Sequence, residues 1–475
     1  MANKTRQVHF SEALIILIVM IGILGTAVIK FGVSPQTPVM LVIALLILWT
    51  KIRRYSWDQV HNGVINGIKT GIIPIVIFIL IGALIASWIA AGIIPSMMVV
   101  GFHLISDQWF VPSVFLVCAV IGSSIGSAFT IISTVGIALF GMGTTLGINP
   151  ALVAGAIISG AIFGDKTSPL SDSTNLASAV AGSDLFKHIR NLMWSTIPAF
   201  LVSLMIYGIM GHTTKTMPAM KINATIATLQ NHFWISWWAI VPIILMVICA
   251  VMKIPAIATL FLNIGVTIVM IFGHQPNFSI KRLATLLESG FVAKTGNASV
   301  DALLSRGGIT AMMGTVSLII LTLALGGLLM EFGIIQSVIT PLARHLHGHT
   351  ALVLSTLLAG IGVNIFVGEQ YLSVILPGNA FKETFKKQGL DPLALSRVLE
   401  DGGTVINYLV PWGVAGAFAA NTLGVPVLHF LPFCFFSLLS PVFSLLSAMT
   451  GIGLKRLGTQ AKATNAAQPL TLENR

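Results

Sequence analysis

The stretch Gly164–Asn175, with the sequence GDKTSPLSDSTN, is a strongly polar segment between two apolar runs. It holds two carboxylates, a lysine, an asparagine, five hydroxyls and a proline. Each ionisable side chain costs roughly 2.5–3.5 kcal/mol at membrane depth. Irregular backbone is tolerated at that depth only inside protein or beside a cavity. If the flanking runs span a membrane, this stretch lines a cavity and is a candidate functional site.

The composition places the chain in a membrane. Hydrophobic residues make up 55% of it, charged residues 9%, and the mean hydropathy is +0.94, whereas soluble domains carry about 25% charged residues. Since about 20 residues cross the hydrocarbon core, we expect roughly ten to twelve spanning elements in an all-α polytopic protein. The runs of spanning length include Ala13–Ile29, Gly71–Ala91, Ile309–Met330 and Leu428–Met449. The shorter runs Ala151–Phe163 and Ala351–Val363 predict broken or half-crossing helices.

Basic residues give a formal charge of +11 and cluster between and beside the apolar runs. Their predicted partners are the anionic headgroups of membrane lipids, and no nucleic acid is expected. Lys4 and Arg6 precede the first run, and Lys455 and Arg456 follow the last one. The positive-inside rule therefore predicts that both termini are cytoplasmic.

An internal repeat is the second strong signal. Gly147–Pro150 (GINP) aligns with Gly389–Pro392 (GLDP) at an offset of 389 − 147 = 242 positions, and at the same offset Pro169 meets Pro411. This pattern predicts two transmembrane repeats, residues 1–211 and 233–454, joined by an external linker at 212–232 and followed by a cytoplasmic tail at 455–475.

The repeats are expected to be inverted, because an odd number of crossings in the first would leave the second starting outside. Lys382, Lys386 and Lys387 align with an uncharged stretch of the first repeat, which favours inversion. A second group of basic residues would then lie outside, against the positive-inside rule: Lys281, Arg282, Lys294 and Arg306.

Inverted repeats with broken helices and re-entrant hairpins place a binding site near the bilayer midplane. Pro169 and Pro411 each remove an amide donor and break a helix. Carboxylate, hydroxyl, amide and carbonyl oxygens at such breaks suit small hard cations. The candidate ion- or substrate-binding residues are Asp165, Ser168, Ser171, Asp172, Ser173, Thr174 and Asn175 in the first repeat and Asn364, Glu369 and Asn407 in the second. A Na⁺ site at Asp172, Thr174 and Asn175 is the more specific hypothesis.

These motifs resemble the NhaC-type sodium/proton antiporter family. The resemblance rests on Gly164–Asn175, on Gly368–Gly378 (GEQYLSVILPG) and on Leu395–Val405 (LSRVLEDGGTV). It implies two inverted bundles with broken helices, transport of Na⁺ and H⁺ without a cofactor, and a multi-pass protein of the bacterial cytoplasmic membrane. The family also includes malate/lactate exchangers.

One segment departs from the family pattern. Many relatives follow Gly-Thr-Val with TSPLIPWN, whereas this chain continues as Ile406–Gly413 (INYLVPWG). Tyr408 and Gly413 are therefore expected to reshape the pocket of the second repeat and to favour an organic substrate. Arg397 is a candidate for binding the carboxylate of such a substrate, since guanidinium groups bind carboxylates bidentately.

Other interpretations of the same residues stay open. Asp165 and Lys166 can form a loop ion pair, and Asp172, Thr174 and Asn175 can cap the following helix. Glu400 and Asp401 can mark a helix end and pair with Arg397. Residues 344–349 (RHLHGH) can be a polar loop or a metal site, and Lys51–Lys69 predicts a short interfacial amphipathic helix.

Two functions remain from the sequence. The first is a secondary Na⁺/H⁺ antiporter that uses shared intramembrane carboxylates and alternating access. The alternative is a Na⁺- or H⁺-coupled exchanger of small organic solutes, of the malate/lactate type or for an amino acid. No catalytic residue is expected and the chain is not predicted to be an enzyme, because no nucleophile, metalloprotease or nucleotide motif is present. The predicted partners are lipids, small ions, a small organic solute in the alternative case, and a second copy of the chain in a homodimer.

Overall fold

The structure is a computed structural model that describes residues 8–106, 108–211, 219–344, 346 and 348–457. Within these ranges the chain forms helices and one isolated antiparallel bridge between Leu390 and Arg456. The all-α prediction is confirmed. Predictions that concern Lys4, Arg6, His345, His347, residues 212–218 and the tail beyond 457 lie outside the described residues.

Eleven α-helices lie in residues 8–211. Their bounds are α1 Phe10–Gly25, α2 Gln36–Ile52, α3 Trp57–Thr70, α4 Ile72–Ala90, α5 Ile93–Leu104, α6 Phe110–Ile125, α7 Ala128–Ser133, α8 Val135–Thr145, α9 Pro150–Thr167, α10 Asp172–Ala181 and α11 Leu185–Gly211. A π-helical turn at Thr26–Lys30 extends α1.

Thirteen α-helices follow in the described part of residues 219–457. Their bounds are α12 Ala219–His232, α13 Ile240–Val251, α14 Ala256–His274, α15 Ile280–Ser289, α16 Ala298–Leu304, α17 Ile309–Glu331, α18 Ile334–Arg344, α19 His349–Val367, α20 Gln370–Lys387, α21 Pro392–Leu399, α22 Val414–Leu423, α23 Val427–Phe430 and α24 Phe435–Thr450. A π-helical turn at Glu400–Thr404 continues α21, and 3-10 turns lie at Trp237–Ala239, Asn407–Leu409 and Leu431–Phe433.

Six helices in the described ranges are long and apolar enough to cross a membrane, or up to nine if each of three bent pairs is one span. One bent pair, Pro392–Leu409 with Val414–Leu423, turns by 43° at Pro411, where the sequence predicts a break. Five shorter apolar helices account for the difference from the ten to twelve predicted elements. The run Ala351–Val363 was expected to be broken, and this prediction is wrong. It lies within the uninterrupted helix α19, because its backbone hydrogen bonding continues on both sides of the apolar stretch.

The helix bounds repeat at the offset of 242 residues. Helices α9 and α21 both begin at a proline preceded by a capping side chain, Asn149 and Asp391. Helices α10 and α22 have the same length and both end at a glycine with positive φ. The two stretches therefore share one local fold. The orientation of the second repeat in the membrane and the repeat boundaries stay predictions.

Glycines bring the helices around the polar segment close together. A Cβ added at Gly160 or Gly164 of α9 would lie 2.4 Å from backbone atoms of Phe115 or Gly122 on α6. The predicted amphipathic helix exists as α3 and begins with a capping box at Ser56. One face of α3 packs on α17 through Gly67, where an added Cβ would lie 2.1 Å from a carbonyl oxygen. Small residues permit this close packing in membranes, and it fixes the ends of α9 and α3 near the cavity described below.

Candidate functional site

The first helix break lies between α9 and α10. Pro169 stands between the last residue of α9, Thr167, and the N-cap residue of α10, Ser171, whose hydroxyl accepts from the Thr174 amide. The cap of α10 is therefore Ser171, whereas Asp172 is the first residue of the helix. Gly126, with φ +74°, lies against this loop, and a Cβ there would be 2.9 Å from the Ser171 amide nitrogen.

Asp165 is the acidic centre of this break. The Ser171 hydroxyl donates to its Oδ1 at 2.8 Å, and the Ser173 hydroxyl lies 3.5 Å from its Oδ2. The hydroxyl of Thr174 donates to the carbonyl oxygen of Lys166 at 3.2 Å. These contacts bring Asp165, Ser171, Ser173 and Thr174 together, as the sequence predicts for one polar cluster.

The remaining polar side chains of the segment form hydrogen bonds with its backbone. The Asn175 amide donates to the carbonyl oxygens of Pro169, at 3.0 Å, and Ser171, at 2.7 Å. The Ser168 hydroxyl accepts from the Leu170 amide at 3.2 Å. The specific Na⁺ hypothesis names three residues. Asp172 lines a cavity, whereas the side chains of Thr174 and Asn175 donate hydrogen bonds to backbone carbonyl oxygens at the helix break. That hypothesis stays a prediction.

The second repeat has a matching turn at Gly368 and Glu369. Gly368 has φ +73°, and its carbonyl oxygen accepts from the Val414 amide at 2.8 Å. Glu369 is 3% exposed and caps α20, since its Oε2 accepts from the Leu372 amide at 2.9 Å. The position equivalent to Glu369 in the first repeat is Ser127, which caps α7 in the same way.

Asp172 and Glu369 line one cavity of about 430 Å³ between the two repeats. Its lining consists of Thr70, Asp172, Leu176, Glu369, Tyr371, Leu372 and Ile375. The lining therefore contains two carboxylates, a hydroxyl and a phenol on an apolar wall, and none of these residues is basic. Such a cavity favours a cation over an anion because its fixed charges are negative.

Tyr371 lines the cavity together with Asp172 and Glu369, whereas Asp165 lies outside the lining. Thr70 and Tyr371 were not predicted from the sequence. The signal for Tyr371 was its place two residues after the candidate Glu369, within the motif Gly368–Gly378.

Asn364 and Asn407 pair with each other away from the cavity lining. Asn407 Nδ2 donates to Asn364 Oδ1 at 2.7 Å, and Asn364 Nδ2 donates to the Gly403 carbonyl at 2.5 Å. Asn407 Oδ1 accepts from the Ala415 amide at 3.2 Å. These bonds join α19, the π-helical turn and α22, so both amides position the second helix break.

The contacts of Arg397 and Lys166 differ from those that the sequence predicts. Arg397 is buried and is not part of the cavity lining, and its Nη1 donates to the Gly453 carbonyl at 3.0 Å. Lys166 forms a buried ion pair with Asp401, so the alternative interpretation, a loop ion pair with Asp165, is wrong. The α-helix α21 ends at Leu399 with Glu400 as its C-cap, which agrees with the interpretation of a helix end, and a π-helical turn follows. Local sequence could not identify the partner of Lys166, which is 235 positions away.

No residue of the divergent segment Ile406–Gly413 belongs to the lining of this cavity, although Tyr408 and Gly413 were expected to reshape the pocket. Tyr408 is 2% exposed and packs against the Phe129 ring with centroids 5.5 Å apart. Gly413 contacts Gly368, where an added Cβ would lie 3.2 Å from the Gly413 Cα. In the part of the chain that the structure describes, no three His, Cys, Asp or Glu side chains converge as a metal site.

Several known proteins resemble this chain along nearly its whole length. The sequence profile of the Na⁺/H⁺ antiporter family matches residues 160–452. The chain is 39% identical to the Na⁺/H⁺ antiporter NhaC of Alkalihalophilus pseudofirmus over 95% of this chain and 97% of that one. It is 35% identical to the Na⁺/H⁺ antiporter NhaC of Bacillus subtilis, over 94% of this chain and 98% of the relative. It is 32% identical to the malate-2H⁺/Na⁺-lactate antiporter of the same organism, over 92% and 94%. These relatives are transporters and not enzymes, and the resemblance predicted from the motifs is confirmed: this multi-pass membrane protein belongs to the Na⁺/H⁺ antiporter family.

Proposed function

We propose that this protein exchanges Na⁺ for H⁺ across the membrane and that Asp172, Glu369 and Asp165 are the carboxylates for which the two ions compete. The observation that carries the proposal is the cavity between the repeats, with two carboxylates and no basic residue in its lining. Burial disfavours a bare charge, so each carboxylate is stabilised either by a proton or by a bound cation. Binding of one ion then favours release of the other.

Alternating access is the proposed mechanism because the two carboxylates belong to different repeats. Asp172 begins α10 in the first repeat and Glu369 caps α20 in the second. Movement of one repeat relative to the other separates or joins the two walls of the cavity, which exposes the ion to one side at a time. Glycines at both turns, Gly126 and Gly368, allow the loops to pass closely during this movement.

The proposed arrangement in the membrane follows the sequence. Residues 1–211 and 233–454 form inverted repeats, the segment 212–232 is external, and both termini and the tail 455–475 are cytoplasmic. Helix α12 occupies the second part of that linker. The protein acts in the bacterial cytoplasmic membrane, and a homodimer is its proposed assembly.

The alternative is exchange of a small organic solute coupled to Na⁺ or H⁺. The cavity volume favours it, because about 430 Å³ exceeds the needs of a bare ion and falls in the range of small-molecule pockets, about 300–1,000 Å³. The charge of the lining selects among solutes. Two carboxylates repel a dicarboxylate such as malate, whereas the ammonium group of an amino acid would be attracted. Arg397 does not offset this, because it is not part of the lining.

Proteoliposomes with an internal pH dye test the proposal. Addition of Na⁺ alone should move protons in the wild type, and Asp172→Asn should lower the rate by at least about tenfold because the competing carboxylate is lost. Asp58→Asn is the matched control, since this carboxylate is exposed and lies outside the cavity lining. Proton movement that appears only when an amino acid or organic acid accompanies Na⁺ would replace the proposal with the alternative. Full activity of Asp172→Asn would remove Asp172 from the mechanism.

A further inference from the structure

Unpartnered buried polar atoms are concentrated in one place outside the cavity. Eleven buried side-chain nitrogen and oxygen atoms have no hydrogen-bond partner among the described residues. Nine of the eleven lie on α11, α21 with its π-helical turn, and α24: two on His188, two on Arg397 and one each on Thr196, Glu400, Asp401, Ser437 and Ser444. These three helices pack on one another, and α9 packs on α11 and α24. We call this group of residues, together with Lys166 and Ser440, the polar junction.

An ion pair holds the centre of the polar junction. Lys166 bonds to Asp401 Oδ1, and the Ser440 hydroxyl lies 2.8 Å from the Lys166 ammonium and 2.9 Å from the same carboxylate oxygen. The second oxygen of Asp401 has no partner, and neither does Oε1 of Glu400. His188 lies on α11, which packs on both α9 and α24.

The polar junction extends from one end of the helix bundle to the candidate ion site. At the end of the junction near the surface, Arg397 donates to the Gly453 carbonyl. Gly453 lies in the turn that follows α24, where Ile452 is exposed. His188 lies in the first turn of α11, next to the exposed Lys187. At the inner end, Lys166 and Asp401 pair with each other and are the chain neighbours of Asp165 and Glu400, and the π-helical turn packs on α10.

The two carboxylates of the junction have no counterpart in the first repeat. At the offset of 242, Glu400 and Asp401 correspond to Ile158 and Ser159. The Ser159 hydroxyl has a partner, because the Tyr207 hydroxyl lies 2.8 Å from it. If the fold itself required these carboxylates, both repeats would carry them. Glu400 and Asp401 therefore point to a role beyond the local fold that the two repeats share.

Bound water is the occupant that fits these atoms. A buried polar group without a partner costs about 1–3 kcal/mol, and nine in one dry junction would strongly oppose folding. The unpartnered atoms include donors, on Arg397 and the serines, and acceptors, on Glu400 and Asp401. A metal cation would need acceptors alone and an anion donors alone, whereas a water molecule uses both and makes about three hydrogen bonds.

We infer that the polar junction holds a file of water molecules that carries protons between the membrane face at Gly453 and Glu400, from which they reach Asp165. The inference deepens the proposed Na⁺/H⁺ exchange and rests on it. Each step moves one proton from an oxygen to its hydrogen-bonded neighbour, with no change of oxidation state. Glu400 is the proton-exchanging acid. The other titratable groups of the polar junction are Lys166, Asp401, Arg397 and His188. Na⁺ reaches the cavity at Asp172 and Glu369 by a separate route.

Transport and Na⁺ binding in proteoliposomes test the path. Glu400→Gln keeps the size of the side chain and should lower Na⁺-driven proton movement by about a hundredfold, while Na⁺ binding at equilibrium stays within about twofold of the wild type. Ser444→Leu fills the space for water and should lower proton movement at least about tenfold.

The control for packing damage is Ser203→Leu. Ser203 is also a fully buried helix serine, but its hydroxyl already bonds to the Ala199 carbonyl at 2.6 Å. Loss of proton movement in Ser203→Leu equal to that in Ser444→Leu would overturn the assignment of the path. Wild-type proton movement in folded Glu400→Gln and Ser444→Leu would overturn it as well.

Hydroxyl-radical labelling separates this inference from the proposed function. Radicals formed from bound water should oxidise His188 although it is fully buried, and Ser444→Leu should prevent the labelling. Met98, fully buried in the apolar core, is the control that should stay unlabelled. Labelled His188 in a protein without Na⁺-driven proton movement would reject the exchange but keep the water file. Unlabelled His188 in an active protein would reject the water file alone.

Discussion

Lys166 and Asp401 form a buried ion pair that joins helix α9 of the first repeat to the π-helical turn of the second. Their side chains are 1% and 0% exposed. Ser440 of α24 donates to the same carboxylate, so one contact ties three elements together. Although Lys166 follows Asp165 in the chain, its counter-charge is Asp401.

Breaking this pair should destabilise the protein strongly. Asp401→Asn leaves the Lys166 ammonium buried without its counter-charge, and the free energy of unfolding should fall by about 3–5 kcal/mol. The double variant Lys166→Met with Asp401→Leu should recover much of the loss because no isolated charge remains. Denaturant unfolding in detergent measures both. The exposed pair Glu12–Arg53 is the matched control, and Arg53→Met should cost about 0–1 kcal/mol.

The glycines at the two turns should not tolerate a side chain. Gly126→Ala and Gly368→Ala should each lose about 1–2 kcal/mol of folding free energy, because a left-handed backbone penalises a Cβ, with a further loss at Gly126 from contact with the Ser171 amide. Gly32→Ala isolates the backbone penalty, since it has φ +62° with open space around it. A smaller loss at Gly126 than at Gly32 would contradict the predicted contact.

Helix crossing at Gly164 should be equally sensitive. In Gly164→Ala the new Cβ would lie 2.4 Å from Gly122, so α9 and α6 must separate, at a cost of about 1–3 kcal/mol. Gly265→Ala on α14 meets no atom within 4 Å and should stabilise its helix by about 1 kcal/mol. Thermal unfolding of the two variants in the same detergent gives the comparison. Equal shifts of the same sign would show that the crossing is not close.

The amide pair is expected to act on structure rather than on the ion. Asn364→Ala leaves the Gly403 carbonyl and the Asn407 amide buried without partners, so the free energy of unfolding should fall by about 1–3 kcal/mol. Na⁺ affinity of the folded protein, measured by equilibrium binding, should change by less than about tenfold. Asn421→Ala, at an exposed amide, is the control for stability. A large loss of Na⁺ affinity without a loss of stability in Asn364→Ala would indicate that Asn364 contacts the ion.

A larger side chain in the cavity should distinguish the two candidate functions. Leu176→Phe reduces the space beside Asp172 while leaving both carboxylates in place. Na⁺-driven proton movement should persist, whereas transport of an organic solute should fall by about tenfold or more because pockets discriminate strongly by size. Uptake of radiolabelled amino acids and the internal pH signal are measured in parallel. Loss of both signals with an unchanged melting temperature would show that the ion needs the whole cavity.

Much of the fold could be read from residue patterns. The breaks at Pro169 and Pro411 follow from backbone chemistry that proline imposes locally, and the two prolines are separated by the same 242 positions as Gly147 and Gly389. Spanning helices follow from hydropathy. The apolar run inside α19 misled the prediction, because hydropathy ends where polar residues begin, whereas a helix ends where its hydrogen bonding ends.

The sequence by itself determined an all-α membrane protein with a repeated core, its polar segment and its family. Only the tertiary structure decided which charges meet: Lys166 with Asp401, and Asp172 with Glu369 across one cavity. It also shows that Arg397, Asn364 and Asn407 are not part of the cavity lining. The reason is physical. Helix breaks and apolar periodicity depend on neighbours a few residues apart, whereas an ion pair between residues 235 positions apart depends on how whole helices pack.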